Sequence, residues 1–274
     1  MLLSCAGWGC QRTIRAVTGP LRRAEHRICP DCHGTLCAVC AGARPRALFT
    51  GPRCPACDGH LVNGARARRV LKSPKAELVR RFEQALRAGQ CGQYAESLAG
   101  LDAVLAQRAT FLAAGFHRGI ALRELGRLDE ALAAFEWTTR FDPAHLRAYF
   151  DQGNTLRDLG RPEEAVIVYD RVLAREPRYF AVLVNKATTL NELGLYEQSL
   201  AAATEAVRLD AEGTAVDDTA PVRGHAHGVL GAALTNLGRY EDALAAFDLA
   251  LSTGPDTPDL HATRALVLAR LGRV

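Results

Sequence analysis

The chain has 274 residues, 48% of them hydrophobic and 23% charged, with a formal net charge of +4. That balance suits a globular protein of one or two domains with a real core and excludes a disordered or collagen-like chain. No apolar run approaches the ~20 residues that a membrane-spanning helix needs.

Charge is spread unevenly. Residues 1–77 carry 13 Lys and Arg against 4 Asp and Glu, a formal +9, which leaves −5 on residues 78–274. Composition therefore predicts a boundary near residue 77. At the start, Leu2-Leu3-Ser4-Cys5 has the look of a lipoprotein cleavage box, but no charged and apolar regions stand ahead of it. The expected compartment is cytoplasmic, with reduced thiols, where clustered cysteines signal metal more than disulfide.

Eight of the nine cysteines fall within residues 1–60, as Cys5-x4-Cys10, Cys29-x2-Cys32, Cys37-x2-Cys40 and Cys54-x2-Cys57. Two Cys flanking a tight turn present both sulfurs to one ion, and four such pairs suffice for two tetrahedral Zn²⁺ sites. Gly34, Gly42 and Gly59 follow the second Cys of the last three pairs by two positions, where a knuckle needs a residue tolerant of positive φ. Eight thiolates close both sites, so the zinc is expected to be structural, with His33 and His60 outside the ligand set. A block this small with few aromatics should owe its stability to the metal.

The run Cys-x2-Cys-x4-Cys-x2-Cys across 29–40, with pairs on either side, resembles the cross-braced zinc fingers of the RING and FYVE families over residues 5–57. Cys54-Pro55-Ala56-Cys57 matches a common RING ending, and His26-Arg27-Ile28-Cys29 is similar to part of the FYVE basic run. The resemblance implies one site of Cys5, Cys10, Cys37 and Cys40 and a second of Cys29, Cys32, Cys54 and Cys57. A sequential pairing, as in zinc ribbons, stays open, as does His33 in place of Cys32. The first pair departs from the families in its x4 spacing, and the full FYVE lipid motif is absent. Two zinc centres, each held by four thiolates, lower the block's charge to roughly +5. With Arg66, Arg68, Arg69, Lys72 and Lys75 on residues 61–77, that leaves a basic linker or, alternatively, a nucleic-acid contact. No aromatic stacking residues interleave with those charges, which favours the linker.

From residue 78 the chain repeats. Leu-Gly recurs at Leu125-Gly126, Leu159-Gly160, Leu193-Gly194, Leu237-Gly238 and Leu271-Gly272, with steps of 34, 34, 44 and 34 residues, and Gly92 stands 34 before Gly126. Setting that glycine at position 15 starts the units at residues 78, 112, 146, 180, 224 and 258. Position 8 is small (Ala85, Gly119, Gly153, Ala187, Gly231, Ala265), as is position 20. Position 24 is aromatic in Phe135, Tyr169 and Phe247, and Pro143, Pro177 and Pro255 hold position 32. Apolar residues recur at three and four, as amphipathic helices require.

The array resembles tetratricopeptide repeats, 34-residue pairs of antiparallel helices that stack into an all-α solenoid. That predicts five full units, a half unit that either caps the array or marks its interruption, and a ten-residue loop inserted at Thr214–Arg223. It also places Leu-Gly at the helix A to helix B turn, where a side chain would obstruct the reversal.

In this family helix-A positions 2, 5, 9, 12 and 13 face a concave groove. The resemblance thus nominates Phe82, Phe116, Ile120, Arg123, Arg147, Phe150, Asn154, Arg157 and Asn191 as partner-binding residues. Asn154 and Asn185 occupy places of the carboxylate clamp that grips chaperone tails, but its basic members are missing. His227 and His261 share position 4 of adjacent units and read as partly buried packing residues, and Cys91 as a small buried side chain. No phosphate loop, His-Glu-x-x-His or nucleophile elbow is present. No catalytic residue is assigned. The expected function is a non-enzymatic scaffold that holds a partner peptide or helix in the groove, with the zinc module as a second contact. The alternative implied by RING resemblance is a ubiquitin ligase recruiting substrate through the repeats.

Overall fold

The computed structural model of the chain describes residues 2–4, 13–15, 26–28, 35–37, 74–213 and 223–273. They divide into two compact units, Met1–Ala109 and Thr110–Val274.

In the first unit, β1 (Leu2–Ser4) pairs antiparallel with β2 (Thr13–Arg15), and β3 (His26–Ile28) with β4 (Thr35–Cys37). In the sequence, Cys5 and Cys10 lie between the first two strands, and Cys29 and Cys32 between the second two. Those four, with Cys40, Cys54 and Cys57, lie outside the described residues, and of Cys37 only the backbone is described. The expected ligand set and its pairing therefore lie there too, with residues 61–73 of the basic linker. α1 (Pro74–Gln90) begins four residues ahead of the unit start read from the repeat. It packs on α2 (Tyr94–Gln107). Leu78, Ala85 and Ala88 of α1 and Leu98, Leu101 and Val104 of α2 are buried. A Cβ built on Gly100 would stand 2.8 Å from the Ala85 Cβ, so the two helices meet closely.

The second unit holds nine described helices. They are α3 (Leu112–Glu124), α4 (Leu128–Phe141), α5 (Leu146–Asp158), α6 (Pro162–Leu173), α7 (Phe180–Glu192), α8 (Tyr196–Ala211), α9 (Arg223–Asn236), α10 (Tyr240–Thr253) and α11 (Pro258–Arg270). Each packs on the next. α11 is the last described helix. The insertion lies outside the described residues except for Arg223, which opens α9.

The repeating glycine ends each helix A in one way. At the first turn of this unit the Gly126 amide donates to the Arg123 carbonyl and the Arg127 amide to that of Leu122, at 2.9 Å each. These two bonds define a Schellman motif, with the glycine in the left-handed region at φ 74°. A Cβ on Gly126 would meet nothing within 4 Å. Glycine is thus required by the backbone angle, not by crowding, which corrects the steric reading of the Leu-Gly turn. Crowding governs position 8 instead. A Cβ on Gly153 would lie 2.5 Å from the Tyr169 ring, and one on Gly119 2.6 Å from that of Phe135.

The arginine after the turn glycine has a local task. Arg127 pairs with Glu130, Arg161 with Glu164 and Arg239 with Asp242, at 2.6–2.7 Å, each across three residues at the start of a helix B. These exposed clasps explain the Gly-Arg-x-x-Glu/Asp motif and add little stability each. The core is a chain of local clusters. Leu156, Ala165, Val168, Tyr169 and Val172 meet Val182 of the following helix A, and Ala203, Ala206 and Leu209 continue through Val184 to Ala226 and Val229. Leu234, Phe247 and Val267 close the series. Cys91, expected to be buried, is exposed on the turn after α1.

Candidate functional site

Successive A helices of the second unit also touch one another: α3 with α5, α5 with α7, α7 with α9 and α9 with α11. On the face they share, the repeat register places the expected groove. Its wall at α3 and α5 is aromatic and ionic. The Phe116 ring packs 4.7 Å from the His145 ring and 5.9 Å from Phe135, leaving 9% of the residue exposed. Phe150, half-buried, stacks on Tyr179 at 5.8 Å, and the Arg147 guanidinium lies 5.7 Å from its ring centroid. Ile120 is half-buried nearby on α3.

Asp151 organises the charges. It is buried, and its carboxylate accepts from Arg147 at 3.1 Å and from Arg123 at 3.5 Å. Burial pushes its carboxyl above the usual range, and the two guanidiniums only partly offset that. The register identifies both arginines. It does not flag Asp151, although the Arg147-x3-Asp151 spacing puts both on one helix face.

One turn further along α5, Asn154 Oδ1 accepts from the Tyr169 hydroxyl at 2.7 Å and from Asn185 Nδ2 at 2.8 Å. Asn154 is buried, and the bond ties α5 to α6 and α7. Burial also holds the Tyr169 hydroxyl far above its ordinary range. Arg157 is half-buried and 3.8 Å from Asp158. Asn191, on α7, donates to the Val229 carbonyl at 3.4 Å, while its own Oδ1 is buried without a partner.

Asn191 also borders a cavity of about 370 Å³ between α7, α9 and α11. Gly228, Val229, Ala232, Phe247 and Leu260 give it an apolar floor, and Glu192, His225, Thr257 and Asp259 stand in its wall. His225 is exposed by surface area, and partial desolvation against the cavity wall, then the Arg157 charge, lowers its basicity. The register's positions 2, 5, 9, 12 and 13 include Asn191, Glu192, His225, Gly228, Ala232 and Asp259, of which Asn191 alone is among the nominated partner-binding residues.

Phe82 lies half-buried on α1 in the first unit. His227 is half-buried with Nδ1 unpartnered, whereas His261 is exposed and paired with Asp256, so only the first fits the packing role expected of both. Among the described residues no three His, Cys, Asp or Glu side chains converge as a metal site would require, and no helix is long and apolar enough to cross a membrane.

A stack of helix pairs with Schellman turns, repeating mostly at 34 residues, defines a helical-repeat solenoid. A tetratricopeptide-repeat profile matches residues 116–180, 150–214, 184–259 and 229–274, more than half of the chain. The chain belongs to the tetratricopeptide repeat family. No curated protein matches it. Solved structures share the fold at low identity. A tetratricopeptide repeat protein from Parabacteroides merdae aligns at 17% identity and TM-score 0.59 over 72% of this chain and 74% of its own. MamA from Desulfovibrio magneticus aligns at 22% and 0.57, over 66% of this chain and 96% of its own. YrrB, described as a repeat protein with an unusual peptide-binding site, aligns at 16% and 0.55, over 75% of this chain and 97% of its own.

Proposed function

We propose that this protein is an adaptor whose groove, lined by α3, α5, α7, α9 and α11, holds a segment of a partner protein. One observation carries the reading. Along one face, Arg123, Arg147, Arg157 and Asn191 keep partly exposed donors beside half-buried apolar surface from Ile120 and Phe150. Such a face offers hydrogen bonds to a partner backbone and area to its side chains. The fold shared with YrrB, described by its peptide-binding site, supports it. Phe116 and Asn154 are packed and bonded, so their share is to hold the wall in shape.

Selection of a random dodecapeptide library on the immobilised full chain tests the proposal. Peptides should enrich, and Arg157→Glu with Asn191→Ala should weaken them about tenfold or more without lowering helical circular dichroism. No enrichment, or binding indifferent to the pair, overturns the groove.

For residues 1–60 the proposal is a structural module holding two Zn²⁺ through Cys5, Cys10, Cys29, Cys32, Cys37, Cys40, Cys54 and Cys57. The donor set supports it, since eight thiols in close pairs suit two closed tetrahedral sites. The metal would supply folding free energy and no chemistry. The partner of that module is a protein surface. Ubiquitin transfer and nucleic-acid contact are separable from it, the first by a thioester-discharge assay and the second by steep salt dependence.

A further inference from the structure

The cavity between α7, α9 and α11 occupies a place that other units fill themselves. Positions 5 and 34 of the unit starting at residue 112 are Phe116 and His145, whose rings lie 4.7 Å apart. In the next unit they are Phe150 and Tyr179, stacked at 5.8 Å. In the unit starting at 224 the same positions are Gly228 and Thr257, and both line the cavity. A Cβ on Gly228 would touch only Leu260 Cδ1, at an ordinary 3.8 Å. The wall of the groove therefore has a ring-sized gap where two preceding units place an aromatic pair.

The surroundings of the gap have a definite chemistry. Its floor is apolar, and its volume falls in the range of about 300–1,000 Å³ typical of ligand pockets. Glu192 and Asp259 are exposed at its sides and make no ion pair among the described residues, and no Lys or Arg lines it. Asn191 adds a buried oxygen that lacks a donor. Apolar depth with acidic sides is complementary to a hydrophobic group carried next to positive charge.

The geometry points to this cavity as the anchor pocket of the groove, one that takes a large apolar side chain, aromatic by preference, from an extended partner segment bearing Lys or Arg beside it. The partner supplies in trans the ring that Phe116 and Phe150 supply within their own units. The inference rests on the groove reading above and names the partner class for its C-terminal end.

The peptides enriched on the full chain provide the probe. They should share a Phe, Trp or Leu flanked by a basic residue. Gly228→Phe fills the gap from within and should weaken them about tenfold to hundredfold, the worth of one buried apolar side chain. The same change should raise Tm, because a helical glycine is replaced and apolar surface is covered. Gly228→Leu gives the same reading if the phenyl variant folds poorly. Glu192→Gln with Asp259→Asn should remove the preference for the basic flank while leaving the apolar residue selected. Enriched peptides that bind wild type and both Gly228 variants equally would overturn the pocket and leave the groove standing, whereas a library that yields no peptide would sink the groove itself. Sedimentation of the chain alone covers the other occupant. A dimer dissociated by Gly228→Phe would give the pocket to a second copy and overturn the assignment to a basic partner segment.

Discussion

Two glycines of one helix pair show how differently the same residue is constrained. Gly160 sits at φ 73° with open space around its missing Cβ, so Gly160→Ala should cost about 1–2 kcal/mol from backbone angle alone. Gly153 lies under Tyr169, a fully buried ring, with a built Cβ 2.5 Å away. Gly153→Ala should cost about 1–3 kcal/mol by overpacking. The two are told apart by a second change. In a Tyr169→Leu background Gly153→Ala should become nearly neutral, while Gly160→Ala keeps its full cost, as urea denaturation of the four variants would reveal. Equal costs for Gly153→Ala in both backgrounds would sink the steric account. The sequence carries a hint of this coupling: where position 8 is Ala, in Ala85 and Ala187, position 24 is Leu101 or Ala203 and not an aromatic ring. The pattern was readable as two separate small-residue and aromatic positions. That the ring fills the space left by the glycine needed coordinates, because it links residues sixteen apart on different helices.

At the scale of the element, periodicity made the helices and their order legible. What it could not supply was the charge pairing between helices. Asp151 on α5 is buried at the place where Arg147 of its own helix and Arg123 of α3 converge. The folded state holds this carboxyl's proton more tightly than the unfolded chain does, because desolvation outweighs the two guanidiniums. Its contribution to stability therefore grows as pH falls below the folded pKa, is complete below the unfolded value near 3.9, and is lost as pH rises above the folded one. At neutral pH the buried charge is a cost that the arginines offset. Asp151→Asn should accordingly leave stability at pH 7 within about 1 kcal/mol or raise it. Arg123→Met should destabilise by about 1–3 kcal/mol by leaving that charge short of one partner. Adding Asp151→Asn to Arg123→Met should then restore most of the loss. A double variant no more stable than Arg123→Met would mean that the guanidinium matters through its packing and not through the carboxylate.

Over the whole molecule the two compositional halves read from charge and cysteine count have different physical bases for stability. The array buries a ladder of local clusters, each joining one helix pair to the next, so each unit draws on itself and its immediate neighbours. Residues 1–60 have too few large apolar residues for that route, and eight thiols in close pairs provide another in the zinc module proposed here. Metal removal should therefore act on one half and spare the other. Chelation of the zinc-loaded full chain should release two Zn²⁺, expose eight additional reactive thiols beside the already exposed Cys91, and open residues 1–60 to proteolysis. The helical melting transition, dominated by α3–α11, should shift little, because nearest-neighbour coupling confines a perturbation to the units beside it. The measurement is a thiol titration with metal release, run alongside thermal circular dichroism at 222 nm, the helical wavelength. A zinc count of one, or thiols fully reactive before chelation, would remove the two-site module. A collapse of the helical transition on chelation would instead mean that the array depends on the metal, and local packing would no longer account for its stability.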